Sequence, residues 1–372
     1  MIVKNQRLSL HCTRLGSELE GVCDYGGQAV FVPGALPGED IEALALKTYP
    51  RYAFAKLQNI VVPSLDRAEP GCPAYALCGG CSGQHMTYEA TLRAKRTQVL
   101  DCLNRIGGLS LTDADVPPVL GADNPWRCRN KTALPVGGTA DKPLLGFYRR
   151  RSHDIVPISD CAVAMGGIDG VISAVSDWMR AARVEPYDES TGRGVLRHIV
   201  LRVSRGGALM VLLVATQDQL PDVSLLVSLL DQKASGFCAL HVSVNESRTN
   251  VILGKTSRKL HGEDVIFEKL LGLSFEISPL SFFQVNPAQT ERLYQCAIDF
   301  AQPGEGDVAV DAYAGAGTIA LCMARRVSRV IGIEIVPQAV ESARRNAVRN
   351  GIANAEFHVA AVEDLLPQLV AE

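Results

Sequence analysis

The chain has 372 residues, a length that allows two or three domains with ordinary hydrophobic cores. Hydrophobic residues make up 47% of the sequence and charged residues 21%, which excludes a disordered or fibrous protein. The net charge of −3 excludes a uniformly basic protein, so a nucleic-acid surface would have to come from local clusters of basic residues.

Such basic clusters are present in the middle of the chain, although a solvated protein face is the plain alternative for any one of them. They comprise Arg127, Arg129 and Lys131; Arg149, Arg150 and Arg151; and Arg193, Arg197, Arg202 and Arg205. The N-terminus lacks a signal-peptide pattern, and the longest apolar run, residues 208–215, is too short to cross a membrane. We therefore expect a cytoplasmic protein. Eleven cysteines are many for a reducing compartment, so some should serve a metal or a reaction.

Residues 8–62 alternate apolar and polar positions between glycine and proline breaks, which predicts a small β-barrel. Its most evident turns are Gly26-Gly27 and Pro37-Gly38. A polar connector with prolines covers residues 63–73, so the first domain boundary is placed at residue 62.

A cysteine-rich segment follows the connector. Cys72, Cys78 and Cys81 supply three thiolates within ten residues, and glycines beside them allow the backbone to wrap a bound centre. Iron–sulfur clusters and structural zinc sites both take four protein ligands, so a fourth cysteine should come from elsewhere. Cys161 is the candidate, because it lies in a polar loop after a predicted strand. Zinc and a set of unliganded thiols are the alternatives.

Residues 86–106 place apolar side chains at helical intervals and end at Gly107-Gly108, which predicts a helix. Strands dominate residues 125–275, and Gly206-Gly207 is suited to a two-residue hairpin turn between two of them. The segment 63–275 is therefore predicted to be a central α+β domain.

From residue 308 the pattern becomes strand, glycine loop, helix, strand, helix, strand, as in a parallel doubly wound sheet. The second helix begins at Pro337 and ends before Gly351. Residues 276–372 are assigned to this third domain.

The glycine loop of the third domain predicts an adenosine-type cofactor. Asp311 precedes a loop with Gly315 and Gly317, and the segment up to Thr318 follows a predicted strand and opens a helix, so backbone amides face a ligand. Glu334 ends the next strand, where a carboxylate accepts hydrogen bonds from ribose hydroxyls. Gly315, Gly317 and Ala320 also match a dinucleotide-binding pattern, which is the rival interpretation.

The segment upstream of this loop carries two aromatic side chains beside an amide. Phe282 and Phe283 precede Gln284, just before a helix begun by Asn286-Pro287. Aromatic faces can stack a base that has been flipped out, and the Gln284 amide can bind the polar end of a cofactor. The alternative is that both phenylalanines belong to the hydrophobic core.

Taken in order, CPAYALCGGCSGQH, SPLSFFQVN, DAYAGAGT and VIGIE resemble the iron–sulfur-containing branch of the RNA uracil-5-methyltransferases that act on 23S ribosomal RNA. The resemblance covers nearly the whole chain. It implies that residues 1–62 form a TRAM domain that binds RNA, and that the cofactor is S-adenosyl-L-methionine. It further implies a 4Fe–4S cluster held by Cys72, Cys78, Cys81 and Cys161. The residues that it implies for the cofactor are Gln284, Tyr313, Thr318 and Glu334.

The fold class implied is a multidomain α/β chain with a TRAM- or OB-like barrel, a central α+β iron–sulfur domain and a partial Rossmann-like methyltransferase sheet. The chemistry implied is covalent: a thiolate adds to C6 of uracil, C5 becomes nucleophilic and takes the methyl group, a base removes the C5 proton, and the thiolate leaves. RNA is the expected partner, ribosomal before transfer RNA, with no membrane and no protein partner implied.

The sequence departs from the family at the catalytic residues. The family's nucleophilic cysteine lies in a D-P-P-R-x-G segment, which is absent here, and we assign no catalytic residue. Cys296 and Cys322 fall at apolar helical positions and are poor nucleophile candidates. We therefore expect a truncated enzyme that lacks its catalytic segment. Two other classes stay open: a noncatalytic RNA-binding iron–sulfur module, and a nicotinamide or flavin oxidoreductase that carries a metal cluster.

Overall fold

A computed structural model of the chain describes residues 1–371. These residues divide into two compact units. The first unit contains residues 1–123 and 148–152, and the second contains residues 124–147 and the chain from 153 onward. The three-domain boundaries at residues 62 and 275 remain predictions from the sequence.

The first unit begins with a closed barrel, which confirms the barrel predicted for residues 8–62. The strand order around the barrel is β1-β2-β3-β5-β4. Its strands are β1 (Arg7–Leu15), β2 (Gly21–Tyr25), β3 (Gln28–Val32), β4 (Asp40–Thr48) and β5 (Tyr52–Val62). Alternate residues of β1, Leu8, Leu10 and Cys12, are buried inside the barrel. Gly26 and Gly27 join β2 to β3 with φ of 61° and 84°, the backbone that a two-residue hairpin turn requires.

The predicted helix at residues 86–106 is α1 (Tyr88–Arg105), also in the first unit. The Thr87 hydroxyl caps it by accepting a hydrogen bond from the Ala90 N–H at 3.2 Å. Beyond Arg105 the chain turns at Gly108, where φ is 69°. Among residues 1–371, no helix combines the length and the apolar character that crossing a membrane would require.

The second unit opens with a mixed sheet of order β12-β11-β10-β9-β6-β7-β8. Its strands and helices are β6 (Lys131–Gly138), β7 (Pro143–Tyr148), β8 (Ile155–Pro157), α2 (Ile168–Ala182), β9 (Leu196–Val203), β10 (Leu209–Ala215), α3 (Val223–Lys233), β11 (Phe237–Val244) and β12 (Arg258–Gly262). Helices α2 and α3 cover one face, where Trp178 packs against sheet residues such as Leu134 and Val211. The opposite face buries Val200 and Leu212. The run of buried residues in β10 follows from this coverage on both sides.

The connection between β9 and β10 differs from the predicted two-residue turn. Ser204 and Ala208 still pair, with the Ser204 N–H donating to the Ala208 carbonyl at 2.9 Å, so the loop contains residues 205–207. Gly207 alone of the two glycines has positive φ, at 86°. A three-residue loop needs one residue in this left-handed region, and Gly207 supplies it.

The second unit continues with a hairpin and a parallel sheet of order β15-β16-β17. Its elements are β13 (Ile266–Leu270), β14 (Leu273–Ile277), α4 (Pro287–Ala301), β15 (Val308–Asp311), α5 (Thr318–Met323), β16 (Arg329–Glu334), α6 (Pro337–Arg349), β17 (Ala355–Val359) and α7 (Val362–Ala371). The predicted alternation of strands and helices is confirmed. Pro337 occupies the first turn of α6, and Gly351 follows its end with φ of 64°.

Candidate functional site

The glycine loop lies between β15 and α5, at the carboxyl end of the parallel strand. Gly315 and Gly317 both have positive φ, 52° and 77°. A Cβ on Gly317 would come within 2.9 Å of the Phe357 ring and 3.1 Å of the Ala343 Cβ. A Cβ on Gly315 would meet nothing within 4 Å. The loop therefore packs tightly against its own domain at Gly317 and has open space at Gly315.

Glu334, at the end of β16, lies against this loop. One carboxylate oxygen accepts a hydrogen bond from the Gly315 N–H at 3.0 Å, and the other accepts one from the Val336 N–H at 2.9 Å. These two bonds hold the carboxylate at the point where the parallel strands β15 and β16 end. Ligands of open α/β sheets bind at such an edge.

Asp311, the last residue of β15, brings a second carboxyl group to the same edge. Its Oδ2 atom is buried and has no hydrogen-bond partner among residues 1–371. Burial raises the pKa of Asp311 above its ordinary value, the Tyr313 and Ala320 N–H groups oppose this shift, and the negative charge of Glu334 adds to it. An unpartnered buried acceptor fits a ligand that brings a hydrogen-bond donor to the loop.

Two hydroxyl-bearing side chains complete the loop's surroundings. The Thr318 hydroxyl, at the start of α5, forms a 2.7 Å hydrogen bond with the hydroxyl of Tyr294 on α4. Tyr313 is 79% exposed and extends from the loop into solvent. Thr318 thus links the loop to α4, whereas Tyr313 is available to a bound molecule.

The aromatic pair upstream of α4 is divided between core and surface. Phe283 is buried in a cluster that also contains Ala314 and Ala320 from the glycine loop region, whereas Phe282 is 77% exposed. Neither sequence interpretation describes both residues, because one phenylalanine is core and its neighbour is surface. The exposed ring of Phe282 offers a face for stacking, and the buried Phe283 anchors the same segment.

Two buried residues hold this aromatic segment, a role that no local sequence pattern indicates. The Asn130 side-chain amide donates to the Gln284 carbonyl at 3.0 Å, and the Asn130 N–H donates to the Val285 carbonyl at 2.8 Å. The Arg202 guanidinium donates to the carbonyls of Pro279 and Ser281. Both residues lie inside basic clusters of the sequence, but their contacts span more than 70 residues, which local patterns do not record.

The predicted iron–sulfur site is not supported by the described geometry. Among residues 1–371, no three side chains of His, Cys, Asp or Glu form a group that could hold a metal ion. Cys72, Cys78 and Cys81 belong to the first unit, and Cys161 belongs to the second. The Cys78 sulfur accepts a hydrogen bond from the Gly80 N–H at 3.3 Å. Close spacing brings backbone positions together, but it does not make the sulfur atoms converge on one point.

The cysteines of the third predicted domain are poorly suited to nucleophilic chemistry. Cys322 lies on α5 at 5% exposure, and burial raises its pKa to about 11, so the thiol stays protonated at neutral pH. Cys296 lies within α4. We assign no catalytic role to either residue.

Comparison with known proteins adds to this geometry. A methyltransferase-domain model matches residues 303–372, and a TRAM-domain model matches residues 5–57. An uncharacterized RNA methyltransferase of Clostridium tetani is 40% identical over 370 residues, which cover 99% of this chain and 80% of the relative. One from Listeria innocua is 41% identical over 369 residues, with 99% and 81% coverage. The chain belongs to the RNA methyltransferase family.

A solved structure agrees with this RNA methyltransferase assignment. The tRNA (uracil-54, C5)-methyltransferase of Pyrococcus abyssi, crystallised with S-adenosyl-L-homocysteine, superposes with a TM-score of 0.75 at 26% identity. The match covers 95% of this chain and 79% of the other. Together with the methyltransferase-domain match, this supports S-adenosyl-L-methionine as the methyl donor and RNA as the substrate.

Proposed function

We propose that this RNA methyltransferase transfers the methyl group of S-adenosyl-L-methionine to C5 of uracil. The observation that carries the proposal is the glycine loop with Glu334 bonded to Gly315, next to a segment that presents an exposed Phe282. Methylation of a flipped base requires a cofactor site and an aromatic platform, and one compact unit carries both. The naming of the Pyrococcus abyssi neighbour as a uracil C5 enzyme supports the same chemistry.

Seven residues are proposed to hold the methyl donor: Gln284, Asp311, Tyr313, Gly315, Gly317, Thr318 and Glu334. Glu334 is suited to bind ribose hydroxyls, because its carboxylate is already fixed beside the loop. Tyr313 is exposed next to the loop and can cover a planar adenine ring. When bound, the donor supplies an electrophilic methyl group.

The target base is proposed to stack on Phe282. A ring at 77% exposure offers a face without requiring the core to move, because Phe283 anchors the same segment. Stacking of one base on an aromatic side chain contributes roughly 1–3 kcal/mol. That energy offsets part of the cost of removing the uracil from its helix.

The proposed reaction is covalent. A cysteine thiolate adds to C6 of uracil, and the electrons of the C5–C6 double bond make C5 the nucleophile for methyl transfer. A base then takes the C5 proton, and the returning electrons expel the thiolate. Cys322 does not suit this role because of its raised pKa, and no other thiol of the described residues is assigned to it.

The experiment uses unmodified 23S ribosomal RNA and transfer RNA transcripts with a labelled methyl donor. Formation of 5-methyluridine in either RNA supports the proposed function, and methylation of another base or atom contradicts it. The TRAM-like barrel and the cysteine spacing favour ribosomal RNA as the better substrate. Exclusive methylation of transfer RNA would overturn that preference alone.

Cofactor choice has its own test. Isothermal titration should detect S-adenosyl-L-homocysteine binding and no binding of NAD, which separates methyl transfer from nicotinamide chemistry. Glu334→Gln should weaken the binding about tenfold, because it removes the charge of a proposed ribose acceptor. Glu356→Gln is the matched control: Glu356 lies on the neighbouring strand β17 and pairs with Arg329.

The iron–sulfur prediction takes no part in this mechanism and rests on the cysteine spacing and the family resemblance. Anaerobic purification followed by iron and sulfide analysis tests it directly. Stoichiometric iron that is lost on Cys78→Ser would restore the prediction. Stoichiometric zinc with no iron would favour the structural-zinc alternative.

A further inference from the structure

Two cations face each other on neighbouring strands of the mixed sheet. Lys131 of β6 lies directly opposite Arg202 of β9 in the antiparallel register. Arg202 is 3% exposed and Lys131 is half-buried. Like charges at opposed positions of a sheet repel each other, and burial weakens the hydration that normally compensates them. A pair of this kind calls for a counter-charge.

The described residues supply no such counter-charge. The hydrogen bonds of the Arg202 guanidinium go to the neutral carbonyls of Pro279 and Ser281. Within residues 1–371, the Lys131 ammonium has neither a hydrogen bond nor an ion pair. Burial lowers the pKa of Lys131, and the charge of Arg202 lowers it further. No carboxylate opposes this shift. Burial also lowers the pKa of Arg202, to about 10, so it remains charged at neutral pH.

Two partly buried arginines of the same unit are neutralised by carboxylates. Arg205 pairs with Glu268 and Glu291, and Arg345 pairs with Glu276. In the described part of the chain, the buried Arg197 bonds only to carbonyls, those of Asn245 and Ser247, but no lysine is paired with it across the sheet. The absence of carboxylates beside Lys131 and Arg202 leaves a positively charged pair that an external anion can neutralise.

The position of this pair of cations indicates which anion it would bind. Arg202 binds the carbonyl of Ser281, the residue directly before the exposed Phe282. Asn130, the residue directly before Lys131, binds the carbonyl of Gln284 in the same segment. The two strands that carry the cations thus also hold the proposed base platform. In RNA, every base is accompanied by phosphates within one nucleotide.

We propose that Lys131 binds a backbone phosphate next to the target uracil, and that Arg202 is a positioning residue that fixes the Phe282 segment and adds to the positive potential. This inference rests on the proposed function, because it takes RNA as the substrate and Phe282 as the stacking platform. Phosphate contacts set the register of a nucleic acid on a protein without reading its sequence. Lys131 accordingly determines where the RNA lies rather than which base it presents.

The test is the salt dependence of RNA binding by the full chain, with a fluorescein-labelled, unmodified 23S ribosomal RNA fragment as the probe. Lys131→Gln should weaken binding on the order of five- to tenfold at low salt and reduce the slope of log affinity against log salt by about 1. Lys142→Gln is the matched control, because Lys142 is exposed in the same unit and its loss changes the net charge equally. Lys131→Arg keeps the charge and should keep the slope.

S-adenosyl-L-homocysteine affinity, measured on the same variants, distinguishes the two possible sources of the anion. Unchanged affinity in Lys131→Gln, with a reduced RNA slope, supports the phosphate site and shows that the variant is folded. Reduced S-adenosyl-L-homocysteine affinity with an unchanged RNA slope assigns Lys131 to the cofactor's carboxylate and overturns the inference. A wild-type protein that binds no RNA overturns both the inference and the proposed function. An RNA slope for Lys131→Gln equal to that of Lys142→Gln overturns the inference alone.

Discussion

Two glycines of one loop, Gly315 and Gly317, differ in how much an added Cβ would destabilise the fold. Both have positive φ, which costs an L-residue roughly 1 kcal/mol. Gly317 has a second constraint, because its Cβ would overlap the Phe357 ring at 2.9 Å. Gly315 faces open space. The pair therefore separates backbone strain from steric overlap within three residues of chain.

Gly317→Ala should lower the free energy of unfolding by about 2–4 kcal/mol, the sum of backbone strain and overpacking. Gly315→Ala, the control, should cost about 1 kcal/mol. Urea denaturation followed by circular dichroism measures both. Equal losses for the two variants would show that the ring of Phe357 moves away without cost and that only the backbone conformation matters.

Among structural elements, the barrel is tied to the connector that follows it through one buried carboxylate. Glu39, in the turn before β4, is fully buried. Its oxygens accept hydrogen bonds from the Arg67 guanidinium at 2.5 and 2.8 Å, from the Leu36 N–H at 2.8 Å and from the Ser64 N–H at 3.3 Å. This network satisfies a charge that would otherwise be costly inside the first unit.

Arg67→Met should destabilise the first unit by about 3–5 kcal/mol, because the carboxylate of Glu39 is left buried without its charged partner. Arg93→Met is the control: Arg93 pairs with Asp66 across an exposed surface, where an ion pair is worth less than about 1 kcal/mol. Urea unfolding of both variants gives the comparison. Similar losses would mean that main-chain N–H groups alone suffice to stabilise Glu39.

Glu39 also predicts a pH dependence. Burial tends to raise its pKa, but the hydrogen bonds from Arg67, Leu36 and Ser64 outweigh burial and bring the pKa below the ordinary value of 4.5. A carboxylate with a lowered folded-state pKa contributes stability that is present above 4.5 and is lost as the pH falls through the lower value. Thermal unfolding at pH 3 to 6 should show this loss in the wild type and a smaller loss in Glu39→Gln.

At the scale of the whole molecule, the described chain contains two compact units, and every residue proposed to hold the methyl donor belongs to the second. Binding of S-adenosyl-L-homocysteine should therefore slow amide hydrogen exchange at residues 311–318 and 329–336. The barrel strands β1 to β5 should exchange at unchanged rates. Mass spectrometry of peptides with and without ligand measures both regions. Protection confined to the barrel would contradict the assignment of the cofactor site.

Sequence patterns predicted the elements well where the signal is local. Side-chain periodicity, with glycine or proline at the ends of the elements, predicts three features. They are the barrel strands, helix α1 and the order of strands and helices from β15 to β17. The positions of Asp311, Gly315 and Glu334 at one sheet edge also followed, because the carboxyl ends of parallel strands meet at the same edge.

Tertiary structure decided what depends on contacts between distant residues. One such feature is the burial of Phe283 while its neighbour Phe282 stays exposed. Two others join residues that are far apart in sequence: the contacts of Asn130 and Arg202 with the segment before α4, and the unneutralised pair Lys131–Arg202. Cysteine spacing likewise predicted a ligand set that the described side chains do not form. Periodicity determines which face of an element is buried, but only packing of the whole chain determines which side chains meet there.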